Sequence, residues 1–371
     1  MDEFDVAVVG AGPAGASAAL AARRLGASVL LLDRADFPRD KPCGDGIAPH
    51  ALDVLRTLGV SGVEDGFAPV PALRLIAPGG GEVGRRLARP AYTIPRKIFD
   101  ARLVAVAVAG GALLRRHTVR GIEVRPDAVV LDGAIAARAV VGADGANSLV
   151  RRVLGQPANP DGHLALAIRG YAPAAGPVEQ RIVTSAPEWP AYAWSFPIGD
   201  GRANIGYGEV LRGRPVTRAH LLDRLAELLP TVDTRGATAL RAHHLPLSTH
   251  RPIPGRGRLL LAGDAHSLIN PFTGEGIFYA VLSGSLAGAA ALGGADSARR
   301  YAAALRGRLG RHLRHSRVAA WLGGQPWIVD AAVRAANSDQ RVFDGIVELG
   351  LGDGLLTART VAAIARKTLS R

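Results

Sequence analysis

Three glycines near the start of the chain have the spacing of a phosphate-binding turn. Gly10, Gly12 and Gly15 follow the apolar run Phe4–Val9 and open an alanine-rich segment, so the pattern predicts a strand, a tight turn and a helix. Gly10 permits the turn, Gly12 lets the backbone approach a pyrophosphate, and Gly15 allows the helix to pack closely on the strand. The helix start, including Ala14, would present free N–H groups to the phosphates.

A carboxylate follows at the distance that ribose recognition requires. The second predicted strand, Ser28–Leu32, ends at Asp33, whose oxygens can accept hydrogen bonds from both ribose hydroxyls. Arg34 comes next and is a further candidate contact. Strand, glycine turn, helix and strand together form one βαβ unit, which indicates a dinucleotide site rather than a purely structural turn.

Two later segments resemble the second and third fingerprints of FAD-dependent hydroxylases and their relatives. The first is Gly142–Gly145, and the second is Gly263–His266, which is followed by Pro271 and by Gly274–Ile277. The resemblance implies that Asp264 binds the ribityl chain of FAD and that a helix start at Ile277 faces the flavin ring. A helix N-terminus there would stabilise the negative charge of reduced flavin. The implied cofactor contacts are Asp144, Gly263, Asp264, Pro271, Gly274, Gly276 and Ile277.

Three more motifs resemble the geranylgeranyl reductase family, which lies within the aromatic-hydroxylase-like flavoproteins. They are the cysteine–glycine segment Lys41–Gly46, the aromatic segment Tyr192–Pro197 with Gly206 and Gly208 after it, and Ile94–Arg96 at a predicted helix start. The resemblance covers nearly the whole chain and implies that Cys43, Gly44 and Arg96 contact FAD. Ile198 departs from the family, where many members carry lysine, and this argues against an anionic substrate head group.

The aromatic segment can also be interpreted from its residue pattern, without the resemblance. Tyr192, Trp194 and Phe196 alternate along one predicted strand, so they share one side of a sheet. They either wall an apolar cavity over the flavin or form plain core of a second domain. We favour the cavity, because Pro197, Gly206 and Gly208 would let the backbone approach a ligand closely.

Cys43 is the only cysteine and has three interpretations. It lies near the flavin and tunes substrate position or proton delivery, it is a redox-active thiol, or it is a small buried residue. We favour the first, since the neighbouring glycines imply close approach to a ring, and we predict Cys43, Tyr192, Trp194 and Phe196 as the catalytic group. His266 is as compatible with a structural hydrogen bond as with a catalytic role. No clustered ligands indicate a metal.

Composition narrows the possible partners and location. The 371 residues carry a net charge of +13, almost wholly from arginine, and 48% of them are hydrophobic. No zinc-finger or RNA-binding signature accompanies the charge, so we expect no nucleic-acid partner. Acidic Asp2, Glu3 and Asp5 stand where an export signal would be basic, so we expect a cytoplasmic protein.

Two helical segments raise the question of membrane contact. Ile277–Ala295 is uncharged and long enough to span a bilayer, but its glycines and serines favour a helix buried against the sheet. The segment 299–317 holds seven arginines and no acid. Weak membrane-surface contact through this basic helix is one interpretation, and a solvated face over an apolar stripe is the one that we favour.

These elements predict an α/β protein with a Rossmann-like FAD-binding fold, an inserted antiparallel-sheet substrate domain and a C-terminal helical region. The predicted FAD-binding domain comprises 1–70, 95–158 and 252–296. The substrate-binding domain comprises 71–94 and 159–251, and the helical region comprises 297–371. No motif indicates an oligomeric state.

The resemblance implies reduction of carbon–carbon double bonds in an isoprenoid or other apolar small molecule, by hydride transfer from reduced FAD. NADPH or a reduced protein carrier would supply the electrons. The main alternative is an FAD-dependent monooxygenase of the aromatic-hydroxylase type. Further alternatives are a flavin halogenase, of whose tryptophan signature only Trp194 is present, and a non-catalytic flavoprotein.

Overall fold

The structure is a computed structural model that describes residues 1–174, 176–185 and 187–369. Residues 175 and 186, within the predicted substrate domain, and residues 370 and 371, at the end of the predicted helical region, lie outside the described residues.

Sixteen strands and ten α-helices make up the described chain. The strands are β1 (Asp2–Val9), β2 (Val29–Asp33), β3 (Gly46–Ile47), β4 (Val70–Ile76), β5 (Glu82–Thr93), β6 (Leu113–Arg116), β7 (Ile122–Val124), β8 (Val129–Leu131), β9 (Ile135–Gly142), β10 (Leu164–Pro173), β11 (Gln180–Thr184), β12 (Ala191–Pro197), β13 (Arg202–Val210), β14 (Thr238–Pro246), β15 (Gly255–Arg256) and β16 (Leu259–Leu261). The helices are α1 (Pro13–Arg24), α2 (Pro49–Thr57), α3 (Arg96–Ala109), α4 (Leu149–Val153), α5 (Arg218–Leu228), α6 (Ile277–Ala290), α7 (Ser297–Gly323), α8 (Pro326–Ser338), α9 (Gln340–Leu351) and α10 (Ala358–Leu369).

The first sheet contains the predicted βαβ unit and has a parallel centre. Its order is β15-β16-β9-β1-β2-β6, and β7 and β8 extend it from β9. Successive side chains of β1 enter different cores: Val6 and Val8 pack with α1 and α6, while Ala7 and Val9 pack on the opposite face. A parallel sheet that is covered on both faces requires such continuous apolar strands, which explains the runs at 6–9 and 29–32. The predicted fold class is confirmed.

Helix α6 is buried, but not in the position that the sequence predicted. An 18-residue window in the helical stretch Ile277–Gly323 has a mean hydropathy of 1.5, and 67% of it is buried. The helix packs chiefly on α1 rather than directly on the sheet. The reason is steric: a Cβ on Gly284 would lie 2.1 Å from the Ala14 carbonyl oxygen, and one on Gly288 would lie 2.1 Å from that of Ala18. Glycine at both positions lets the two helices touch through their backbones.

The second sheet is mostly antiparallel, in the order β14-β10-β13-β12-β11-β4-β5-β3. One of its faces packs on α5 through Ile168, Ala193, Ile205, Leu221 and Leu225. The opposite face looks towards the first sheet. Its strands come from the predicted substrate segments, with one exception: β3 lies in the predicted FAD-binding segment but pairs with Tyr92 and Thr93 of β5. The exact domain boundaries stay a prediction.

The C-terminal helices bridge the two halves of the molecule. Helix α7 packs on α6 and β15, whereas α8 and α9 pack on β5 of the second sheet. Arg85 of β5 donates hydrogen bonds to the carbonyls of Ala336 and Asn337, and the indole of Trp189 donates one to the carbonyl of Gly323. These contacts close one side of the space between the sheets.

Candidate active site

A cavity of about 610 Å³ lies between the two sheets. The turn before α1 and the segment before α6 form one end, and the inward face of the second sheet forms the other. The remaining wall comes from the C-terminal helices, through Arg317, Trp321, Val347 and Leu351.

The three glycines of the first turn have different physical roles. A Cβ on Gly10, whose φ is +99°, would lie 2.3 Å from the Ala143 carbonyl oxygen, and one on Gly15 would lie 1.8 Å from that of Gly10. Both positions therefore need glycine for the packing of the protein itself. A Cβ on Gly12 would meet only two guanidinium nitrogens, at 3.6 and 3.9 Å, and Gly12 lines the cavity. Its missing side chain leaves room for a ligand.

The charge beside this turn suits a pyrophosphate. Helix α1 begins at Pro13 without a side-chain cap, so its free N–H groups and positive dipole end face the cavity. Those two guanidinium groups near Gly12 belong to Arg39 and Arg96, and both bind Asp100, at 3.2 and 2.6 Å. Asp100 is buried, and it raises the pKa of Arg96 against the opposing effect of burial. The turn thus combines fixed positive charge with open backbone.

The Asp33 carboxylate is anchored by two backbone N–H groups. One carboxylate oxygen accepts the N–H of Ala11 at 2.9 Å, and the other accepts that of Ala35 at 3.0 Å. These bonds fix the carboxylate at the end of β2 and leave lone pairs for hydroxyl groups. Arg34 is exposed and does not line the cavity.

The two later fingerprints occupy different positions. Asp264 lines the cavity and binds the ammonium of Lys41 at 2.8 Å. Burial would raise the pKa of Asp264, but the Lys41 charge outweighs it and lowers that pKa. Asp144 does not line the cavity, and one of its oxygens accepts the Leu149 N–H at 2.7 Å at the start of α4. It positions the loop, and the neighbouring Ala143 and Gly145 line the cavity.

Side-chain hydrogen bonds of Asn270 stabilise the segment before α6. Its side-chain oxygen accepts the N–H groups of Phe272 and Thr273, and its amide donates to Tyr279 and to the Leu349 carbonyl. Gly276 precedes the helix without a side-chain cap hydrogen bond. Pro271, Gly274, Gly276 and Ile277 all line the cavity. A helix N-terminus of a fourteen-residue helix therefore points at this end of the cavity.

Glu275 is an acidic group in the same wall that sequence analysis overlooked. One of its oxygens accepts the Phe278 N–H at 2.8 Å. Burial raises the pKa of Glu275 to about 7, although backbone N–H groups and the charge of His50 act in the opposite direction. The protonated form of this carboxyl group is therefore accessible near neutral pH. Nothing in its sequence neighbourhood signals this, because the shift comes from residues packed around it.

The three predicted aromatics all line the cavity. Tyr192, Trp194 and Phe196 lie on its side of β12, while the intervening Ala193 packs towards α5. Tyr192 donates its hydroxyl hydrogen to the Thr273 carbonyl at 2.5 Å, which links this wall to the segment before α6.

The prediction for Gly206 was wrong in its reason. A Cβ on Gly206 would lie 2.1 Å from the Trp194 ring, so Gly206 makes room for the indole rather than for a ligand. A Cβ on Gly44 would lie 3.4 Å from the Trp194 ring nitrogen, close to an ordinary contact distance, so the close approach of Gly44 to a bound ring stays a prediction. Gly44 and Gly208 nevertheless line the cavity.

A buried polar network joins Trp194 to the cysteine segment. The indole donates to Asn204 at 2.8 Å, and the Asn204 amide donates to the Cys43 carbonyl and to Asp45, both at 2.8 Å. Tyr171 also donates to Asp45, at 2.6 Å. Burial raises the pKa of Asp45 to about 6. Asn204 and Tyr171 were missed because no local motif marks them, and Asp45 was given no role although it lies inside the cysteine–glycine segment.

Cys43 lines the cavity beside Gly44. Burial raises the pKa of its thiol against the opposing charge of Arg96, so the protonated thiol is favoured. This environment disfavours a reactive thiolate, and its interpretation as a residue that positions substrate stays a prediction.

Two histidines, His163 and His243, line the cavity, whereas His266 does not. The Nε2 of His243 is buried without a hydrogen-bond partner in the described part of the chain. Burial and the nearby Lys41 lower the pKa of His243 to about 4, so it is neutral. His266 is buried elsewhere and donates from Nε2 to the Pro252 carbonyl at 3.2 Å, a structural bond. Among the described residues no cluster of three or more acidic, histidine or cysteine side chains suits a metal ion.

Most predicted site residues meet at one cavity. Those on its wall are Gly12, Ala14, Cys43, Gly44, Arg96, Tyr192, Trp194, Phe196, Asp264, Pro271, Gly274, Gly276 and Ile277. Those behind or beside it are Gly10, Gly15, Asp33, Arg34, Asp144 and Gly263. The open glycine turn, the paired guanidinium groups and the anchored Asp33 carboxylate together fit FAD, whose diphosphate, ribose and ring need these partners.

Known proteins match this arrangement. Residues 3–169 match a family model described as an FAD-binding domain. The chain is similar to menaquinone reductase of Mycolicibacterium smegmatis, with 35% identity over 76% of this chain and 75% of that one. It is also similar to digeranylgeranylglycerophospholipid reductase 1 of Methanopyrus kandleri, with 33% identity over 78% and 80%. A geranylgeranyl bacteriochlorophyll reductase-like structure from Thermoplasma acidophilum shares the fold, with a TM-score of 0.82, 21% identity and 99% and 97% coverage.

Proposed function

The chain belongs to the geranylgeranyl reductase family of FAD-dependent oxidoreductases, and from this we propose that it reduces carbon–carbon double bonds of an isoprenoid or comparably apolar substrate. The observation that carries the proposal is the continuity of the cavity. The phosphate-binding turn and the segment before α6 share one space with Trp194, Phe196, Leu73 and Leu75. A flavin held by the first set would face an apolar ligand held by the second.

The protein's own groups have separable tasks in this reaction. FAD, when bound and reduced, would supply the hydride for one carbon of the double bond. Glu275 is the group that we propose to hold the proton for the other carbon, since it lines the cavity and burial raises its pKa to about 7. The aromatic wall orients the substrate, and the C-terminal helices exclude water.

The electron donor and the location are parts of the same proposal. NADPH or a reduced protein carrier would reduce the flavin, and the protein would work in the cytoplasm on an apolar small molecule. Ile198 is buried but does not line the cavity, so the expectation of an uncharged head group rests on the family resemblance alone.

Anaerobic reoxidation of the reduced flavin tests the reaction class. Protein reduced by light without oxygen is mixed with polyprenyl quinones and other polyprenyl compounds, and the flavin absorbance is followed. A double-bond reductase reoxidises its flavin and yields the saturated product. Reoxidation only after oxygen is admitted, with hydroxylated product, would instead establish a monooxygenase, and no response with or without oxygen would indicate a non-catalytic flavoprotein.

The aromatic wall is tested by Trp194→Ala. We expect substrate affinity to fall by tenfold or more while FAD affinity changes little, because the indole lies on the second sheet. Trp194→Phe keeps an aromatic ring but removes the hydrogen bond to Asn204, and it separates packing from the polar network. An equal loss of FAD and substrate binding would mean that Trp194 is plain core.

A further inference from the structure

The end of helix α7 lies at the mouth of the cavity. Arg317, Ala320 and Trp321 line the cavity, yet Trp321 is 75% exposed to solvent. A side chain that borders a cavity and also faces solvent marks the place where the two meet. Trp327, at the start of α8, is 42% exposed close by in sequence.

The outer face of α7 leading to this mouth is basic and then apolar. Arg311, Arg314, Val318 and Trp321 are three, four and three positions apart, which places them on one stripe of the helix. All four are exposed. We call these four residues the α7 stripe. The opposite face of the helix, with Leu305, Leu309 and Leu313, is buried.

The arginines of the stripe have no acidic partner within the described residues. Arg308 pairs with Asp353 and Arg299 with Asp296, but neither Arg311 nor Arg314 forms an ion pair there. Nearby Arg306 and Arg317 are also exposed and likewise without an ion pair among the described residues. Uncompensated positive charge beside an exposed tryptophan matches an anionic bilayer surface, where arginine meets lipid phosphates and the indole lies at head-group level.

We propose that the α7 stripe docks on an anionic membrane surface, so that the cavity mouth opens towards the bilayer and apolar substrate enters without crossing water. The docking stands on the stripe alone, whereas the entry route rests on the proposed function. An isoprenoid dissolves in the bilayer core and hardly in water. A mouth bordered by Ala320 and Trp321 would give it an apolar path into the cavity.

Vesicle binding tests the docking. Full-length, FAD-loaded protein is sedimented with vesicles of phosphatidylglycerol and phosphatidylcholine, and with phosphatidylcholine alone. We expect binding to the anionic vesicles only, and Arg311→Gln with Arg314→Gln to weaken it by roughly 30-fold, from about 1 kcal/mol per arginine. The matched control is Arg120→Gln with Arg152→Gln, which removes the same charge from exposed positions elsewhere.

Several outcomes would overturn the docking proposal. They are absence of vesicle binding, an equal loss in both double variants, and binding of the stripe to duplex DNA without binding to vesicles. Val318→Ser adds a second measurement, since it should weaken binding without any change in charge.

The entry route has its own readout. With substrate embedded in vesicles, the Arg311 and Arg314 double variant should reoxidise its flavin more slowly than the native protein, whereas with substrate in neutral detergent the two should match. Equal rates in vesicles would overturn the entry route. Failure of every substrate to reoxidise the flavin would count against the proposed function and would leave the vesicle-binding result standing.

Discussion

At the scale of single residues, the glycines of the first turn are required for two different reasons: some for the packing of the protein and one for the space that a ligand needs. Gly10 and Gly15 are required because backbone atoms occupy the places of their side chains. Gly12 faces only two movable guanidinium groups and the cavity. Substitutions at these positions should therefore fail in different ways.

Gly12→Val is expected to give a folded protein without FAD. The added side chain would fill the space that the pyrophosphate needs, while nothing rigid in the protein opposes it. Gly15→Ala is the contrasting variant, since its Cβ would overlap the Gly10 carbonyl and destabilise the fold by roughly 1–3 kcal/mol or more. Flavin absorbance and circular dichroism of the purified proteins distinguish the two. A folded, yellow Gly12→Val protein would contradict the assignment.

The protonation of Glu275 gives a prediction for pH dependence. Because its pKa is raised to about 7, the protonated form predominates below that pH and is lost as pH rises through it. The rate of flavin reoxidation in a single turnover should therefore fall above about pH 7. Glu275→Gln keeps an oxygen for the Phe278 N–H but has no acidic proton, so we expect a loss of about a hundredfold and a flat profile.

Glu209→Gln is the matched control for this prediction. Glu209 also lines the cavity, but its carboxylate is bound by Tyr207 and His220 at 2.8 and 2.7 Å. Its amide variant should keep the native pH profile. If Glu275→Gln retained full activity with the native profile, the proton would come from another group or from water.

At the scale of elements, the site depends on how closely α6 approaches α1. Gly284 and Gly288 bring the two backbones into contact, and this contact fixes the start of α6 relative to the phosphate-binding turn. The apolar composition of α6 predicts burial but not its neighbour, because glycine spacing suits several packing partners equally well.

Gly288→Ala should destabilise the protein although alanine favours helix. Its Cβ would lie 2.1 Å from a backbone oxygen of α1, and separating the helices would cost roughly 1–3 kcal/mol, more than the gain of about 1 kcal/mol in helix propensity. Gly307→Ala, on the open face of α7 with no atom within 4 Å, should stabilise by up to about 1 kcal/mol. Urea unfolding of both variants measures the difference. Equal behaviour of the two would show that α6 and α1 have room to adjust.

The sequence alone predicted those parts of the site whose residues lie in one local motif or one strand. Gly10, Gly12, Gly15 and Asp33 follow from one βαβ unit, and the common face of the aromatic row follows from strand alternation. Gly206 was interpreted wrongly because it lies opposite Trp194 in the β12–β13 pair. The register of two paired strands cannot be predicted from the sequence of either strand alone. Asp45 and Asn204, 159 positions apart, meet only through the tertiary fold.

At the scale of the whole molecule, the C-terminal helices complete a site that the two sheets leave open. The carbonyls of Leu349, Gly350 and Gly352 accept hydrogen bonds from Asn270, Thr273 and Tyr279. The same stretch walls the cavity through Val347 and Leu351. Residues 347–352 therefore both stabilise the segment before α6 and limit the space that is left for a substrate.

Val347→Trp tests this double role in the full-length protein. The larger side chain would project into the cavity from α9, so we expect KM to rise by roughly tenfold for long polyprenyl substrates, equivalent to about 1.4 kcal/mol, and much less for short ones. FAD content should stay unchanged, since Val347 makes none of the hydrogen bonds that hold the segment before α6. Val361→Trp, on the exposed side of α10, is the matched control and should behave like the native protein. A uniform rise in KM for short and long substrates, or none for either, would show that α9 does not set the substrate length that the cavity accepts.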